Sequence, residues 1–261
     1  MTTILKNWKT AAAAAVFAMM PTLASAANLQ ADDYVGISFW LISIAMVAST
    51  VFFYAEARRI GGKWGVSLLV AALVTLVAAV HYFYMREVWV GTNASPTVFR
   101  YVDWLLTVPL QIVEFYLILA AMTAVATGLF WRLLIASLVM LIAGYLGEVA
   151  GPESGGTLWI CFVIGMAGWL YILYEIFAGE ASKINASQGT EAGQRAFNAL
   201  RMIVTIGWAI YPLGYIWGYA GGGDAAALNI IYNLADFINK IAFGVVIWAA
   251  ATSDSSAKPA S

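Results

Sequence analysis

The sequence predicts an all-α membrane protein built as a bundle of seven transmembrane helices. Hydrophobic residues make up 62% of the 261 residues, and the mean hydropathy is +0.82. Charged residues make up only 10%, whereas a soluble domain carries about 25%. Apolar runs long enough to cross a bilayer, which takes about 20 residues, recur seven times along the chain. Together these observations exclude a soluble globular protein.

The seven apolar runs follow one another with short breaks between them. The longest break, from Gly179 to Ala196, leaves no room for an inserted soluble domain. The alternating ten-residue segments of a membrane β-barrel are also missing. The runs cover 34–57, 64–85, 98–121, 129–150, 157–178, 197–220 and 226–251.

The two ends of the chain depart from this pattern. Lys6 and Lys9 precede a short apolar stretch, and Ala24-Ser25-Ala26 fits the small-residue cleavage site of a secretory signal peptide. We therefore expect a signal peptide at 1–26 and a membrane domain at 27–251. The small, polar tail 252–261 is expected to be disordered.

The basic residues predict the orientation, because cytoplasmic loops are enriched in Lys and Arg. With the N-terminus outside, the outer loops hold only Arg86. The cytoplasmic flanks then hold Arg58, Arg59, Lys63, Arg132, Lys183, Arg195, Arg201 and Lys258. We expect an outer N-terminus and a cytoplasmic C-terminus, which agrees with the signal peptide.

The remaining composition excludes two other classes of protein. The net charge of −1 does not supply the basic face that a nucleic-acid binder needs. One cysteine, Cys161, and one histidine, His81, leave no cluster of metal ligands.

Polar residues of the third run share one face of the predicted helix. Asp103 and Glu114 are eleven residues apart, which is three turns plus about 20°. Lipid would exclude such an arc, so we expect it to face the bundle interior, with Pro109 kinking the helix. The arc contains Arg100, Asp103, Trp104, Thr107, Gln111 and Glu114.

The seventh run repeats this pattern around a lysine. Asp236 and Lys240 are i,i+4 neighbours, with Asn229 and Asn233 on the same face. Lys240 falls almost at the midplane of the membrane. It could form a buried salt bridge with Asp236 or Asp103, or serve as a desolvated amine that forms a Schiff base with an aldehyde.

Three motifs in order along the chain resemble the microbial rhodopsin family. They are Arg100-Tyr101-Val102-Asp103-Trp104-Leu105-Leu106-Thr107-Val108-Pro109-Leu110, Trp208-Ala209-Ile210-Tyr211-Pro212 and Leu234-Ala235-Asp236-Phe237-Ile238-Asn239-Lys240. The resemblance covers about 34–251. It implies all-trans retinal bound covalently to Lys240, with Trp104, Gln111, Trp208, Tyr211 and Pro212 around it. Tyr215 stands where bacteriorhodopsin has a tryptophan, so that pocket wall is expected to differ.

The resemblance also implies a transporter, a light-driven outward proton pump, rather than an enzyme. Asp103 and Asp236 would balance the protonated Schiff base, and Asp103 would accept its proton. Glu114 would resupply that proton from the inside. Arg100 would tune the two aspartates, and the combination of Asp103, Thr107 and Glu114 is typical of the proton-pumping members.

The signal peptide, His81 and the acid at Glu114 are similar to features of the proteorhodopsin group of the family. The members of this group lie in the bacterial inner membrane. The resemblance implies that His81 hydrogen-bonds Asp103, and that Trp40 faces His81 across a subunit boundary of a pentamer or hexamer. Gln111 is typical of the blue-absorbing members, whereas green-absorbing ones carry Leu there. Glu148 receives no role.

Two alternatives remain open from the sequence. One is a photosensory rhodopsin with a slow photocycle, against which the acid at Glu114 and the lack of a partner domain argue. The other is a seven-helix receptor or transporter in which Lys240 never meets retinal.

Overall fold

The computed structural model describes residues 29–220 and 222–256. The described residues contain seven helices that are long and apolar enough to cross a membrane. This confirms the predicted class, and the predicted signal peptide at 1–26 lies outside the described residues. The spans, numbered one to seven in chain order, are Tyr34–Ile60, Gly62–Thr92, Thr97–Met122, Thr127–Ala150, Gly156–Gln188, Glu191–Tyr219 and Ala225–Asp254.

The bundle has two faces, named here for the chain ends. The amino-terminal face is the one at which the first span begins, and the carboxyl-terminal face is the one at which the seventh span ends. Large apolar side chains such as Leu41, Ile135, Leu170 and Leu213 are exposed along the sides of the helices. Acidic, basic and amide side chains are buried between the helices. This distribution suits a bundle surrounded by lipid.

The second span is longer than the sequence predicted. It continues through Thr92 instead of ending near residue 85, so Arg86 is part of a helix. Arg86 is buried, and its guanidinium lies 5.3 Å from the centre of the Trp40 ring. The expectation that Arg86 lies in a loop was therefore wrong, because an aromatic neighbour accommodates its charge within the bundle.

The last helix also continues beyond its predicted end, from Ala225 to Ser256. Trp64 Nε1 donates to Asp254 Oδ2 at 3.0 Å, which ties this extension to the second span. The part of the predicted tail that the structure describes, 252–256, is helical, and 257–261 lie outside the described residues.

The predicted break between spans five and six is largely helical. The fifth span consists of Gly156–Phe177 followed by a short helix, Glu180–Gln188. Arg132 holds this turn, since its guanidinium donates to Glu175 Oε1 at 3.0 Å and to Glu180 Oε2 at 2.5 Å.

Two spans contain a proline, with different results. The third span remains one helix through Pro109. The sixth span, which contains Pro212, changes its helical type along its length. Its segments are α-helical Glu191–Met202, π-helical Ile203–Gly207, α-helical Ile210–Tyr215 and π-helical Ile216–Ala220.

Spans four and five pack closely where Gly168 of span five faces the backbone of span four. A β-carbon at Gly168 would lie 2.8 Å from the carbonyl oxygen of Ala136 and 3.1 Å from the amide nitrogen of Met140. Both contacts are with backbone atoms, which cannot move aside as a flexible side chain can.

Replacing Gly168 with alanine should therefore destabilise the bundle by about 1–3 kcal/mol, the usual range for overpacking. The measurement is the thermal unfolding midpoint in detergent, which we expect to fall. Gly156→Ala is the matched control, because a β-carbon there meets nothing within 4 Å. Equal midpoints for the two variants would contradict this account of the helix contact.

Candidate functional site

Lys240 lies between two carboxylates in the interior of the bundle. Its Nζ donates to Asp103 Oδ2 of the third span and to Asp236 Oδ2 of its own helix, the latter at 3.2 Å. The exposed fraction is 2% for the lysine side chain and 0% for each aspartate. The i,i+4 spacing brings Asp236 to the lysine, and helix packing brings Asp103. A buried amine held by two acids is the central feature of the site.

Asp236 is held by donors from three other spans. Tyr82 Oη donates to Oδ2 at 2.8 Å, and Tyr211 Oη donates to Oδ1 at 2.6 Å. Trp104 Nε1 donates to Oδ1 at 3.1 Å. Hydrogen bonds to a carboxylate stabilise its charged form. Together with Lys240, these donors favour the charged form of the Asp236 carboxylate.

Asp103 has fewer partners than Asp236. Its Oδ2 accepts from Lys240, whereas its Oδ1 has no hydrogen-bond partner among the described residues. Thr107 lies one turn further along the helix, but its hydroxyl donates to the backbone carbonyl of Asp103 at 2.9 Å, not to the carboxylate. The two aspartates beside the lysine therefore differ in how strongly their charge is stabilised.

Arg100 brings a second cation into the interior. Its Nη2 donates to Asn229 Oδ1 at 2.8 Å and to Asn233 Oδ1 at 3.0 Å, and the side chain is buried. Its guanidinium also lies 5.4 Å from the centre of the Tyr232 ring. With Arg100 and Lys240 charged, the two aspartates complete a cluster with no net charge.

An apolar cavity lies beside this cluster. Trp104 and Tyr211 meet edge to face, with ring centres 5.0 Å apart, and both line the cavity while donating to Asp236. They therefore connect the cavity wall with the carboxylates around the lysine. Spans four to six contribute further lining residues, among them Met140, Gly144, Met166, Trp208, Pro212 and Tyr215.

Two further residues of the predicted arc are buried nearer the carboxyl-terminal face. Gln111 is 2% exposed, and its Nε2 donates to the backbone carbonyl of Asn239 at 3.5 Å, next to Lys240. Glu114 is 1% exposed, and its two oxygens have no hydrogen-bond partner among the described residues. Glu114 lies eleven residues from Asp103, which is about 16 Å along the helix.

His81 and Trp40 take no part in these hydrogen bonds. His81 Nδ1 is 2.9 Å from the carbonyl oxygen of Val77 in its own helix, and no hydrogen bond joins the His81 ring to Asp103 among the described residues. Trp40 packs edge to face on Phe83, with ring centres 5.6 Å apart. Both side chains are partly exposed on the outside of the bundle.

The sequence analysis assigned no role to two polar residues of the site. Tyr82, which donates to Asp236, is one of 13 tyrosines, and nothing in its sequence context sets it apart. Glu148 lies in the fourth span, but its partners lie on other helices, so its own sequence context does not reveal its contacts. It accepts from Tyr101 Oη at 2.9 Å and from Tyr219 Oη at 2.7 Å, and it lines the cavity.

The family model for bacteriorhodopsin-like proteins matches residues 33–254. Because this match covers almost the whole membrane domain, the chain belongs to the bacteriorhodopsin-like family. The protein is therefore a multi-pass membrane protein of the rhodopsin class.

Proteorhodopsins are among the proteins to which this chain is similar. The chain is 54% identical over 240 residues to the green-light absorbing proteorhodopsin of Gamma-proteobacterium EBAC31A08, covering 91% of this chain and 94% of the relative. It is also 54% identical over 242 residues to the blue-light absorbing proteorhodopsin of Gamma-proteobacterium Hot 75m4, with the same coverage. A crystal structure of blue light-absorbing proteorhodopsin from Med12 is 56% identical, with a TM-score of 0.72, covering 85% of this chain and 99% of that one.

Removing the carboxyl group of Glu148 should destabilise the protein, because two tyrosine hydroxyls would lose their acceptor. An unsatisfied buried hydroxyl costs about 1–3 kcal/mol. We expect Glu148→Leu to lower the thermal midpoint most, and Glu148→Gln, which keeps one acceptor oxygen, to lower it less. Glu153→Gln, at an exposed position, is the control. If Glu148→Leu has the same thermal midpoint as the unmodified protein, the two hydrogen bonds contribute nothing to stability.

Proposed function

We propose that the protein is a light-driven outward proton pump that carries all-trans retinal on Lys240 and absorbs blue light. The observation that carries this proposal is the buried Lys240 between two unequal carboxylates, with a third acid, Glu114, further along the same helix as Asp103. The relatives, which are named for the light they absorb, support the same function.

The residues around Lys240 fit retinal as the cofactor. A polyene aldehyde needs an amine for attachment and an apolar space with flat, rigid walls for its chain. Lys240 supplies the amine, and Trp104, Trp208, Tyr211 and Pro212 line the apolar cavity beside it. When bound, retinal would absorb visible light and isomerise, which supplies the energy for the transport.

The unequal surroundings of the two aspartates support different roles for them. Three side chains from other spans donate to Asp236, so its negative charge is strongly stabilised and it remains the permanent countercharge. Asp103 depends on Lys240 for its stabilisation. It is therefore the carboxylate that accepts the proton leaving the Lys240 nitrogen.

Glu114 is suited to return a proton to Lys240 from the carboxyl-terminal side. A buried carboxylate without a countercharge or a hydrogen bond is costly in a membrane. The described surroundings of Glu114 therefore fit its protonated form, which can donate when the Lys240 nitrogen is empty. Uptake on the Glu114 side and release past Arg100 move the proton towards the amino-terminal face.

The direction of transport follows from the orientation in the membrane. The carboxyl-terminal face carries Arg58, Arg59, Lys63 and Arg132, which favours a cytoplasmic position for it. Transport towards the amino-terminal face is then export from a bacterial cell through its inner membrane.

Assembly and processing complete the proposal. We expect cleavage of the signal peptide 1–26 and a pentamer or hexamer in the bilayer. The partly exposed Trp40 and His81 would lie at the subunit boundary, where His81 could turn towards Asp103.

The test combines a spectrum with a pH recording. Adding all-trans retinal to the apoprotein should produce a visible band, and illuminated cells should acidify their medium until an uncoupler is added. Lys240→Arg should produce no band, since it keeps the charge between the carboxylates but lacks the amine. Asp103→Asn should keep a band and export no protons. Glu114→Gln should keep the band but return to the dark spectrum roughly a hundredfold more slowly, the scale of a lost general acid.

Two results would redirect the assignment. A protein without a visible band would be a receptor or transporter that does not use retinal. A coloured protein that leaves the pH unchanged in correctly oriented, energised cells would be a photosensor.

The colour is tested at Gln111. The relatives do not decide it, because the green and the blue proteorhodopsin are equally identical to the chain. The buried Gln111 amide lies next to Asn239, near the attachment point, and the resemblance associates glutamine there with blue absorption. We expect Gln111→Leu to shift the absorption maximum to longer wavelength and Gln188→Leu, at an exposed position, to leave it unchanged. Identical spectra would refute the tuning role.

A further inference from the structure

Pro212 interrupts the regular backbone hydrogen bonding of the sixth span. We call the irregular pairing between Gly207 and Pro212 the helix fault. In a regular α-helix the amide of residue 212 would donate to the carbonyl of Trp208, but proline has no N–H. The amide of Tyr211 donates to Trp208 O instead, at 3.1 Å. Tyr211 is the residue whose amide would otherwise serve the carbonyl of Gly207. The carbonyl of Gly207 is therefore left without its usual backbone amide donor.

Asn239 of the seventh span supplies the donor that Gly207 has lost. Its Nδ2 donates to Gly207 O at 3.0 Å, and the side chain is 2% exposed. Glycine at position 207 permits this approach, because a β-carbon there would collide with Asn239 Oδ1. A buried backbone carbonyl inside a membrane needs such a partner.

The hydrogen bond from Asn239 to Gly207, called the brace below, lies beside the centre of the site. Asn239 directly precedes Lys240, and its backbone carbonyl accepts from Gln111 Nε2 at 3.5 Å. Its Nδ2 is also 3.4 Å from Tyr211 Oη, which donates to Asp236. The same side chain therefore contacts the fault in the sixth span and adjoins the lysine and its countercharge.

We propose that Asn239 is a positioning residue that fastens the fault in the sixth span to the lysine-bearing helix. The sixth span can move away from Lys240 only when the bond between Asn239 and Gly207 breaks. The bond therefore favours the dark arrangement, and its loss slows the return to that arrangement after light. This last consequence rests on the proposed function.

The bond can be broken from either side. Asn239→Leu removes the donor at similar size, and Asn239→Ala removes it without added bulk if the leucine variant does not fold. Gly207→Ala displaces the asparagine by collision. Asn198→Leu, exposed on the sixth span, and Gly91→Ala, where a β-carbon meets nothing within 4 Å, are the matched controls.

The first measurement is hydrogen exchange of the backbone in 203–213, in the full retinal-loaded protein in the dark. A hydrogen bond worth about 0.5–1.5 kcal/mol corresponds to about two- to tenfold faster exchange when it is lost. We expect this in the Asn239 and Gly207 variants and not in the controls. Adding Gly207→Ala to Asn239→Ala should change little further, because the two substitutions act on one contact.

The second measurement is the time the protein takes to regain its dark spectrum after a flash. We expect the Asn239 and Gly207 variants to be about two- to tenfold slower than the controls. Unchanged exchange, or additive effects in the double variant, would overturn the brace. Faster exchange with unchanged recovery would reduce Asn239 to a packing residue and overturn the positioning role. If the unmodified protein forms no visible band, the proposed function fails, and exchange in the apoprotein still decides whether the brace exists.

Discussion

The ionic contact of Lys240 with Asp103 and Asp236 is the constraint on which the rest of the interior depends. A cation within a bilayer is costly unless its charge is balanced and its donors are satisfied. The two aspartates balance the lysine but bring two negative charges, and Arg100 restores neutrality. Spans three and seven supply all four groups, so these two helices must face each other at a fixed register.

The polar residues around this contact do not share their hydrogen bonds equally. Asp236 accepts from Tyr82, Trp104 and Tyr211, which lie on three different spans. Asp103 accepts from the lysine and leaves one oxygen without a described partner. A symmetrical pair of acids would hold the lysine proton equally from both sides. In the proposed pump, this asymmetry would let Asp103 take that proton while Asp236 stays charged.

Sequence reasoning recovers the parts of this site that depend on spacing within one helix. Helical periodicity puts Asp103 and Glu114 on one face and Asp236 beside Lys240, and hydropathy locates the seven spans. It does not recover contacts that need the packing of different helices, such as Tyr82 with Asp236. Helix ends were missed for a related reason. Arg86 and the end of the seventh span are held in helices by neighbours from elsewhere in the chain.

The sixth span shows why such contacts between helices carry so much of the structure. Lipid offers no water to a backbone group that a proline leaves unpaired, so a neighbouring helix must provide the partner. Pro212 gives the cavity a rigid wall, but it also changes the backbone hydrogen bonds of the sixth span. The carbonyl of Gly207 loses its amide donor as a result. The amide of Asn239 meets that need from the residue before Lys240. The irregular backbone that shapes the cavity wall thus depends on the helix that carries the lysine. Because the hydrogen bond from Asn239 to Gly207 joins the sixth and seventh spans, a displacement of either helix strains or breaks it.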